Sequence, residues 1–594
     1  MLKDLRAVLS WVDARLQFRW ALLVPVMGVA AVLEAFAAMA VFGLLRLVVE
    51  PHRVRITPIA SQIWQAWPTD NPTAVLGVVT TGVALFYVLR ALYVSWAEWV
   101  KESTIAASTT KAADRLFSRF LSADYPFHLR RRSSELIQEI ARSTDVAFQL
   151  FLASLLNITT EVVTILALAA VLIITAPART LIAVAVVLAA AAMPMVMTRR
   201  VWTRAGEDQK ALEEKQLHVL QQSLGAVKEV KIAGREAFFE SRLRATRRSL
   251  ARVKQRRSMF AHALRLGIET VLIVSMLGVV LLVTMRGASG SDTVAILALF
   301  AYVGFRIVPS VNRIMLNAGY MREARAFVAG AIDDFKALKS PGQRAGVPEP
   351  VVEFSRSLAC DDVSFAYDDG AVPALSHVNV MIKAGESVGI VGETGSGKST
   401  LVDILLGLLR PTSGHVLIDG ANLAGRERAW QRMIGYVPQD PYLLDDSVRR
   451  NVAFGVNDST IDEQRLAKAV SLAQLDDVVK HLPQGLDTPI GENGTRLSGG
   501  QRQRVAIARA LYSEPAVLVF DEATAALDNQ TEREVTGAIA SLHGSRTLIV
   551  IAHRLSTVEN CDRLILLQHG RVVATGTYNE LLGNPVFRTI APTR

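Results

Sequence analysis

The stretch Gly392-Glu393-Thr394-Gly395-Ser396-Gly397-Lys398-Ser399-Thr400 decides the fold of the C-terminal third of this chain. It follows the apolar run Ser387 to Val391, typical of a buried strand, and it fits the pattern G-x-x-x-x-G-K-[ST]. Such glycines let backbone N–H groups surround phosphates, while the lysine reaches the β- and γ-phosphates and the hydroxyl meets Mg²⁺. The stretch therefore predicts an α/β P-loop domain that binds a nucleoside triphosphate.

A second apolar run, Val517 to Phe520, ends in two carboxylates. We expect Asp521 to hold the Mg²⁺ shell together with Ser399, and Glu522 to polarise the attacking water as a general base. Phosphoryl transfer needs mainly positioning and charge neutralisation, so these few residues suffice for ATP hydrolysis. A phosphate loop alone would leave many classes of nucleotide hydrolase open.

Between the two runs stands Leu497-Ser498-Gly499-Gly500-Gln501, which resembles the signature of the ATP-binding-cassette family. In that family ATP lies between the phosphate loop of one cassette and the signature of another, so the resemblance implies a dimer. None of the catalytic positions is degenerate, which favours a homodimer with two competent sites.

The same resemblance assigns four further positions. Tyr367 resembles the aromatic residue that stacks on adenine, and Gln439 the residue that links Mg²⁺ and water to the membrane domain. Asp528 resembles the residue that communicates across the dimer, and His553 the switch that contacts the γ-phosphate. Plainer interpretations, such as a surface aromatic for Tyr367 or a core histidine for His553, stay open for each residue alone.

The first half of the chain is unusually apolar, in a protein that is 51% hydrophobic overall. Crossing ~30 Å of hydrocarbon takes roughly 20 residues of helix, and six apolar runs are long enough. They lie near 21–45, 74–96, 148–174, 180–198, 264–285 and 293–315. We expect an α-helical six-span membrane domain at 1–335, a linker at 336–350 and a cytoplasmic nucleotide-binding domain at 351–594. Six spans placed ahead of the cassette resemble the exporter branch of the ATP-binding-cassette family.

Charge predicts the orientation of the spans. Basic residues crowd the connections after the second and fourth runs, for example Lys101, Arg130 and Arg199, so these connections and both termini should face the cytoplasm. The alanine-rich spans favour a bacterial source, so we expect the membrane to be the bacterial inner membrane. This orientation also explains the net charge of +10 without a nucleic-acid partner. Residues 58–67 predict a short helix in the outer interface, serving either as an aromatic anchor or as a lipid contact.

Four arginines stand in or beside the spans: Arg90, Arg265, Arg306 and Arg313. A charge at the centre of the membrane costs ~2.5–3.5 kcal/mol on insertion scales, so each needs a reason to be there. Binding of an anionic, lipid-linked substrate is one reason, because the guanidinium fork suits phosphate oxygens. Pairing with Glu34, Glu161 and Glu269, and extension of the side chain to the interface, are the alternatives.

Three membrane stretches, Phe86 to Leu92, Phe117 to Leu121 and Arg306 to Ile314, resemble the lipid-linked oligosaccharide flippases of bacterial N-glycosylation. The resemblance implies ATP-driven flipping of a polyprenyl-pyrophosphate oligosaccharide, with the four arginines on the pyrophosphate and helix 58–67 on the lipid. The alternative is an exporter of drugs, peptides or another lipid, such as one of lipid A type. A non-transporting role is disfavoured because Glu522 is present.

Overall fold

The computed structural model describes residues 2–49, 72–175, 199–285, 290–338, 352–367, 372–522, 532–533, 536–537, 539, 542–551 and 557–590. The predicted span at 180–198 and the predicted interface helix at 58–67 lie outside these residues. Two compact units form: Met1–Ala123 with Phe127–Arg344, and Ala345–Arg594 with Asp124–Pro126.

The described part of the N-terminal half consists of helices joined by short turns. In chain order its helices are α1 (Leu2–Leu9), α2 (Ala14–Val49), α3 (Pro72–Leu121), α4 (Tyr125–Arg130), α5 (Ser133–Gln138), α6 (Ala153–Thr175), α7 (Arg199–Gly225), α8 (Val227–Ala233), α9 (Glu236–Met285) and α10 (Gly290–Ala337). Two π-helical segments, Glu139–Ser143 and Val146–Leu152, lead into α6.

The long helices continue well past their apolar runs. Helix α3 has 50 residues, which is about 75 Å at 1.5 Å per residue and far more than a bilayer needs. Among the described residues, three stretches are long and apolar enough to cross a membrane: Ala14–Val41, Ala74–Leu121 and Val146–Ala170. Helix α10 ends at Ala337, two residues beyond the predicted end of the membrane domain at 335, because Phe335 packs into the helical core.

Aromatic side chains build that core. Trp11 lies edge-on to Phe148, with ring centroids 6.4 Å apart, and against Phe335 at 5.6 Å. Trp20 also packs on Phe148, with ring centroids 6.3 Å apart, and donates its indole N–H to the Ser108 hydroxyl at 3.0 Å, which satisfies the buried donor. The cluster ties α2, α3 and α10 to the second π-helical segment.

Helices α7 and α10 approach closely at two glycines. A Cβ added to Gly319 would lie 2.6 Å from the Trp202 ring, and one added to Gly206 would lie 2.7 Å from the Glu323 backbone oxygen. Neither position has room for a side chain, so glycine allows the two helices to touch.

Two buried carboxyl groups meet where the first π-helical segment packs on α10. Arg131 donates to Asp334 at 2.6 Å and lies 3.7 Å from Glu139. The second oxygens of Glu139 and Asp334 are both buried without a hydrogen-bond donor in the described structure. Burial and the contact with Asp334 raise the pKa of Glu139 to about 8. We call Glu139 and Asp334 the acid pair.

The C-terminal half is an α/β domain with ten strands in its described part. They are β1 (Ser357–Phe365), β2 (Leu375–Lys383), β3 (Ser387–Gly392), β4 (Ser413–Ile418), β5 (Ala421–Asn422), β6 (Ile434–Val437), β7 (Val517–Asp521), β8 (Thr547–Ile551), β9 (Arg563–Gln568) and β10 (Arg571–Gly576). The helices of eight or more residues are α11 (Lys398–Leu405), α14 (Glu463–Leu472) and α16 (Gly499–Tyr512). Shorter helices are α12 (Glu427–Gln431), α13 (Val448–Val452), α15 (Asp476–His481), α17 (Tyr578–Leu581) and α18 (Pro585–Ile590).

The strands form two sheets. One is antiparallel in the order β2-β1-β4-β5, and the other has the order β10-β9-β3-β8-β7-β6. From β9 to β6 the neighbouring strands of the second sheet are parallel, so their carboxyl ends share one edge. β3 and β7 are separated only by β8. This order brings the phosphate loop and the two carboxylates to the same edge of the sheet.

Candidate active site

The phosphate loop joins β3 to α11 and has no room for side chains at two positions. A Cβ on Gly392 would lie 2.3 Å from the Leu567 carbonyl oxygen, and one on Gly397 would lie 2.7 Å from that of Ala374. Gly397 also has φ +101°, a left-handed conformation that favours glycine. It caps α11 without a side-chain hydrogen bond, so the N–H groups of the first turn point to a site that suits a phosphate.

Two polar side chains of the loop are poised for an anion. The Lys398 ammonium donates to the Gly392 and Glu393 carbonyls at 2.8 and 2.9 Å, and its burial lowers the pKa of this lysine, opposed by the charges of Glu522 and Asp521. The Ser396 hydroxyl is buried and has no hydrogen-bond partner within the described residues. A phosphate oxygen would supply the acceptor that this hydroxyl lacks.

The two carboxylates stand at the end of β7. Asp521 is its last residue, and Glu522 turns out of the strand with φ +46°, a conformation that is uncommon for a residue with a side chain. The Glu522 N–H donates to the Ile551 carbonyl at 3.0 Å, which holds this turn against β8. Sparsely populated backbone conformations of this kind cluster at functional sites.

The neighbouring strand β6 and the residues after it supply one donor to each carboxylate. The Tyr436 hydroxyl lies 3.1 Å from Oδ2 of Asp521, and the Gln439 amide nitrogen lies 2.8 Å from Oε2 of Glu522. The sequence indicated Gln439 but not Tyr436. The signal for Tyr436 was a single polar-tipped side chain in an otherwise apolar strand, directly before Val437-Pro438-Gln439.

The residues present fit a magnesium ion. Asp521 lies close enough to Asp403 that burial and the charge of Asp521 raise the pKa of Asp403 to about 6. This negative potential lies beside the phosphate loop that carries the Ser399 hydroxyl. Among the described residues, no group of three or more His, Cys, Asp or Glu side chains is placed to hold a metal ion. When bound, the ion would neutralise developing phosphate charge, with Ser399, Asp521 and Gln439 as the candidate ligands.

Tyr367 and the signature occupy other parts of the same domain. The Tyr367 ring is exposed, packs edge-on to Phe365 and places its hydroxyl 3.0 Å from that of Thr400 at the end of the phosphate loop. In the signature, Ser498 accepts from the Gln501 N–H, and Gln501 accepts from the Ser498 N–H at 2.9 Å. This capping box starts α16 and leaves its positive end at the signature.

Some predicted site residues cannot be placed. Asp528 and His553 lie outside the described residues, as does the side chain of Arg306. The structure therefore brings together the phosphate loop, Gln439, Asp521 and Glu522, with Tyr367 near the end of the loop.

Two of the membrane arginines are paired with the glutamates that the sequence offered as partners. Arg90 on α3 lies 3.0 Å from Glu34 on α2. Arg313 on α10 makes two hydrogen bonds to Glu161 on α6, one through Nε and one from Nη2 at 3.1 Å. Arg265 is exposed, and the structure describes both Arg265 and Glu269 without an ion pair between them, so the pairing alternative is not realised for this arginine.

A P-loop domain that carries this signature behind long apolar helices defines an ATP-driven membrane transporter. Residues 375–525 match the family described as ABC transporter, and residues 55–307 match the ABC transporter transmembrane region. The chain therefore belongs to the ABC transporter family, as an exporter-type half-transporter that couples ATP hydrolysis to translocation. The predicted family, fold class and enzymatic activity are thus confirmed.

Relatives and a solved structure agree with this assignment. The chain is 38% identical over 480 residues to an ATP-dependent lipid A-core flippase of Cupriavidus metallidurans, covering 79% of each chain. It is 35% identical over 478 residues to an ATP-dependent lipid A-core flippase of Ralstonia nicotianae, again covering 79% of each. A structure of a bacterial Atm1-family ABC exporter with ATP bound superimposes with a TM-score of 0.79 and 25% identity over 98% of both chains.

Proposed function

We propose that two copies of this chain, in a bacterial inner membrane, use ATP to flip a phosphate-bearing lipid of lipid A-core type from the cytoplasmic to the outer leaflet. One observation carries the proposal: relatives that are 38% and 35% identical over 79% of their length are named lipid A-core flippases. This cargo is the alternative that the sequence left open, rather than its first prediction.

The first prediction, a polyprenyl-pyrophosphate oligosaccharide, is kept as the second candidate because of the membrane stretches around Arg90 and Arg306. Both cargoes carry phosphate groups on a lipid anchor, so the arginines do not discriminate between them. The names of the relatives favour the lipid A type.

Arg313 supports an anionic cargo. Its side chain is 45% exposed while that of its partner Glu161 is 14% exposed, so the guanidinium stays accessible on the side away from the carboxylate. Glutamate neutralises the arginine in the absence of cargo, and a phosphate group could then compete for the same donors, since Arg binds carboxylate and phosphate by the same fork. The Arg90 side chain is less exposed, at 20%, so the case for a direct contact with cargo is stronger for Arg313.

The proposal includes a dimer because the phosphate loop and the signature of one ATP site come from two different copies of the cassette. The chain has one phosphate loop and one signature, and in the ABC family a second copy supplies the signature that closes each ATP site. The helix N-terminus at Ser498 fits this role because its N–H groups and helix dipole favour a phosphate. Mg²⁺ at Ser399 and Asp521 and cytoplasmic termini are parts of the same proposal.

Flipping can be measured with the purified chain in proteoliposomes. Three cargoes are compared: fluorescent lipid A-core, a polyprenyl-pyrophosphate oligosaccharide and a neutral glycolipid of similar size. Chemical quenching from outside reports the fraction that reaches the far leaflet, and Glu522→Gln proteoliposomes serve as the control without hydrolysis. We expect ATP-dependent movement of lipid A-core above both other lipids. Movement of the polyprenyl lipid alone would establish the second candidate, and equal movement of all three would refute an anionic cargo.

A further inference from the structure

Tyr436 owes its position to strand alternation. In β6 the flanking residues Gly435 and Val437 are buried and the Tyr436 side chain is exposed on the other face. β6 runs parallel to β7, with Tyr436 opposite Val519 and Val437 opposite Phe520. Because the tyrosine side chain is long, its hydroxyl reaches past this register to the end of β7, where Asp521 stands.

The chemistry of this contact is that of a fixed donor. A phenol hydroxyl meets an ionised carboxylate as the donor, because the carboxylate has only acceptors. It can therefore only donate to the Oδ2 atom of Asp521, 3.1 Å away. A carboxylate bound at one oxygen has lost most of its freedom to rotate, and its other oxygen is left in a defined direction.

We propose that Tyr436 is a positioning residue for ATP hydrolysis, holding one oxygen of Asp521 so that the other faces Mg²⁺·ATP. Carboxylates that bind metals are generally oriented by an outer hydrogen bond, and loss of that bond typically weakens metal affinity or activity 10–100-fold. Gln439 holds Glu522 in the same way at 2.8 Å, so two donors from one segment serve two consecutive carboxylates. The inference depends on ATP hydrolysis alone and is independent of the cargo.

The direct test is Mn²⁺ binding followed by electron paramagnetic resonance, with ATP present and Glu522→Gln as the background to prevent hydrolysis. Tyr436→Phe keeps the ring and removes only the hydroxyl. Tyr578→Phe removes a hydroxyl from α17 of the same domain and is the matched control. We expect the Mn²⁺ dissociation constant to rise about tenfold in Tyr436→Phe, the lower end of the usual range, and to stay constant in the control.

Two further measurements separate positioning from folding. ATP binding in the presence of EDTA should be equal in Tyr436→Phe and its parent, and in an otherwise wild-type chain excess Mg²⁺ should restore hydrolysis to Tyr436→Phe. Metal-free ATP binding that falls as much as Mn²⁺ binding would assign the residue a structural role and overturn the proposal. Unchanged or tighter Mn²⁺ binding would overturn it as well.

A double-mutant cycle tests whether the effect passes through Asp521. In an Asp521→Asn background, Tyr436→Phe should cause no additional loss of Mn²⁺ affinity, because the carboxylate that it orients is gone. An undiminished tenfold loss in that background would show that Tyr436 acts on another group, and the proposal would fail.

Discussion

The side-chain amide of Gln439 donates to Glu522 across 2.8 Å and thereby joins the segment after β6 to the residue after β7. Glu522 is the expected general base, and its backbone is held in a left-handed turn with φ +46°. The amide thus fixes the side chain of a residue whose backbone is already fixed.

Replacement of the general base gives the first prediction. Glu522→Gln should lower phosphate release by about 10²–10⁴-fold, since an amide cannot accept the proton of the attacking water. ATP should stay bound, because Lys398 and the phosphate loop are unchanged, and retained radiolabelled nucleotide measures this. Glu514→Gln removes an exposed carboxylate paired with Lys468 and is the control that should hydrolyse normally. Undiminished turnover in Glu522→Gln would refute the assignment.

The signature serine can be tested against a second capping box in the same domain. Ser498→Ala and Thr577→Ala each remove the side chain that caps a helix, α16 and α17 respectively. Both variants should lose about 1 kcal/mol of stability. Only Ser498→Ala should also lower ATP hydrolysis, because the signature faces nucleotide in the proposed dimer. Equal hydrolysis rates in the two variants would show that Ser498 acts only as a helix cap.

Loss of the Arg313 guanidinium should impair transport more than ATP binding. Arg313→Ala should slow flipping of lipid A-core about tenfold or more, as expected for a charge-assisted hydrogen bond to phosphate. The control is Arg325→Ala on the same helix, which removes an exposed arginine paired with Asp4. The proteoliposome assay compares the flipping rates of the two variants. Equal flipping rates would show that Arg313 serves only as a member of a structural ion pair.

The acid pair predicts a dependence of stability on pH. Burial and Asp334 raise the pKa of Glu139 from 4.5 to about 8, with Arg131 and Lys210 opposing and Glu135 also near Arg131. The folded state therefore keeps a proton that the unfolded state releases, and stability falls as pH rises from 4.5 to 8. Glu139→Gln removes this pH dependence. The difference in the free energy of unfolding between the variant and wild type should therefore shift by about 2–4 kcal/mol in favour of the variant between pH 5 and pH 9.

Thermal unfolding of detergent-solubilised protein across that pH range measures the effect. A constant difference between Glu139→Gln and wild type at all pH values would contradict a proton held by the acid pair.

The contact between α7 and α10 predicts intolerance at Gly319. Gly319→Val would place branched carbon atoms into the Trp202 ring, and overpacking of this kind costs about 1–3 kcal/mol. Gly267→Ala is the control, because a Cβ at Gly267 meets nothing within 4 Å. Yield and melting temperature in detergent should fall for Gly319→Val and hold for Gly267→Ala, and the reverse order would place the helices further apart than described.

The motifs of the cassette were readable from the sequence because their chemistry is local. Gly392 to Thr400 carries its own strand, loop and helix start, and Asp521 with Glu522 ends a strand of five residues. Tyr436 was not predicted, because its role depends on β6 lying beside β7. About 80 residues separate the two strands, and no pattern in them indicates that the strands are neighbours.

The arginine–glutamate pairs of the membrane helices could be predicted only in part. The sequence offered Glu34 and Glu161 as partners without deciding between pairing and substrate binding, and both glutamates are paired across helices. The local pair at Arg265 and Glu269 was suggested by spacing of one turn and is absent from the structure. Such exposed pairs contribute only about 0.3–0.5 kcal/mol, which is too little to hold two long side chains in one arrangement.

The position of β6 has a mechanical consequence. It has four residues, it is the last strand of its sheet as described, and its only strand neighbour there is β7. Strands with one bonded flank open at lower free energy than central strands, which must break two ladders. This edge strand carries Tyr436 and leads directly to Gln439. A small outward displacement of β6 would lengthen the hydrogen bonds to both carboxylates together, while the phosphate loop after β3 would keep its position.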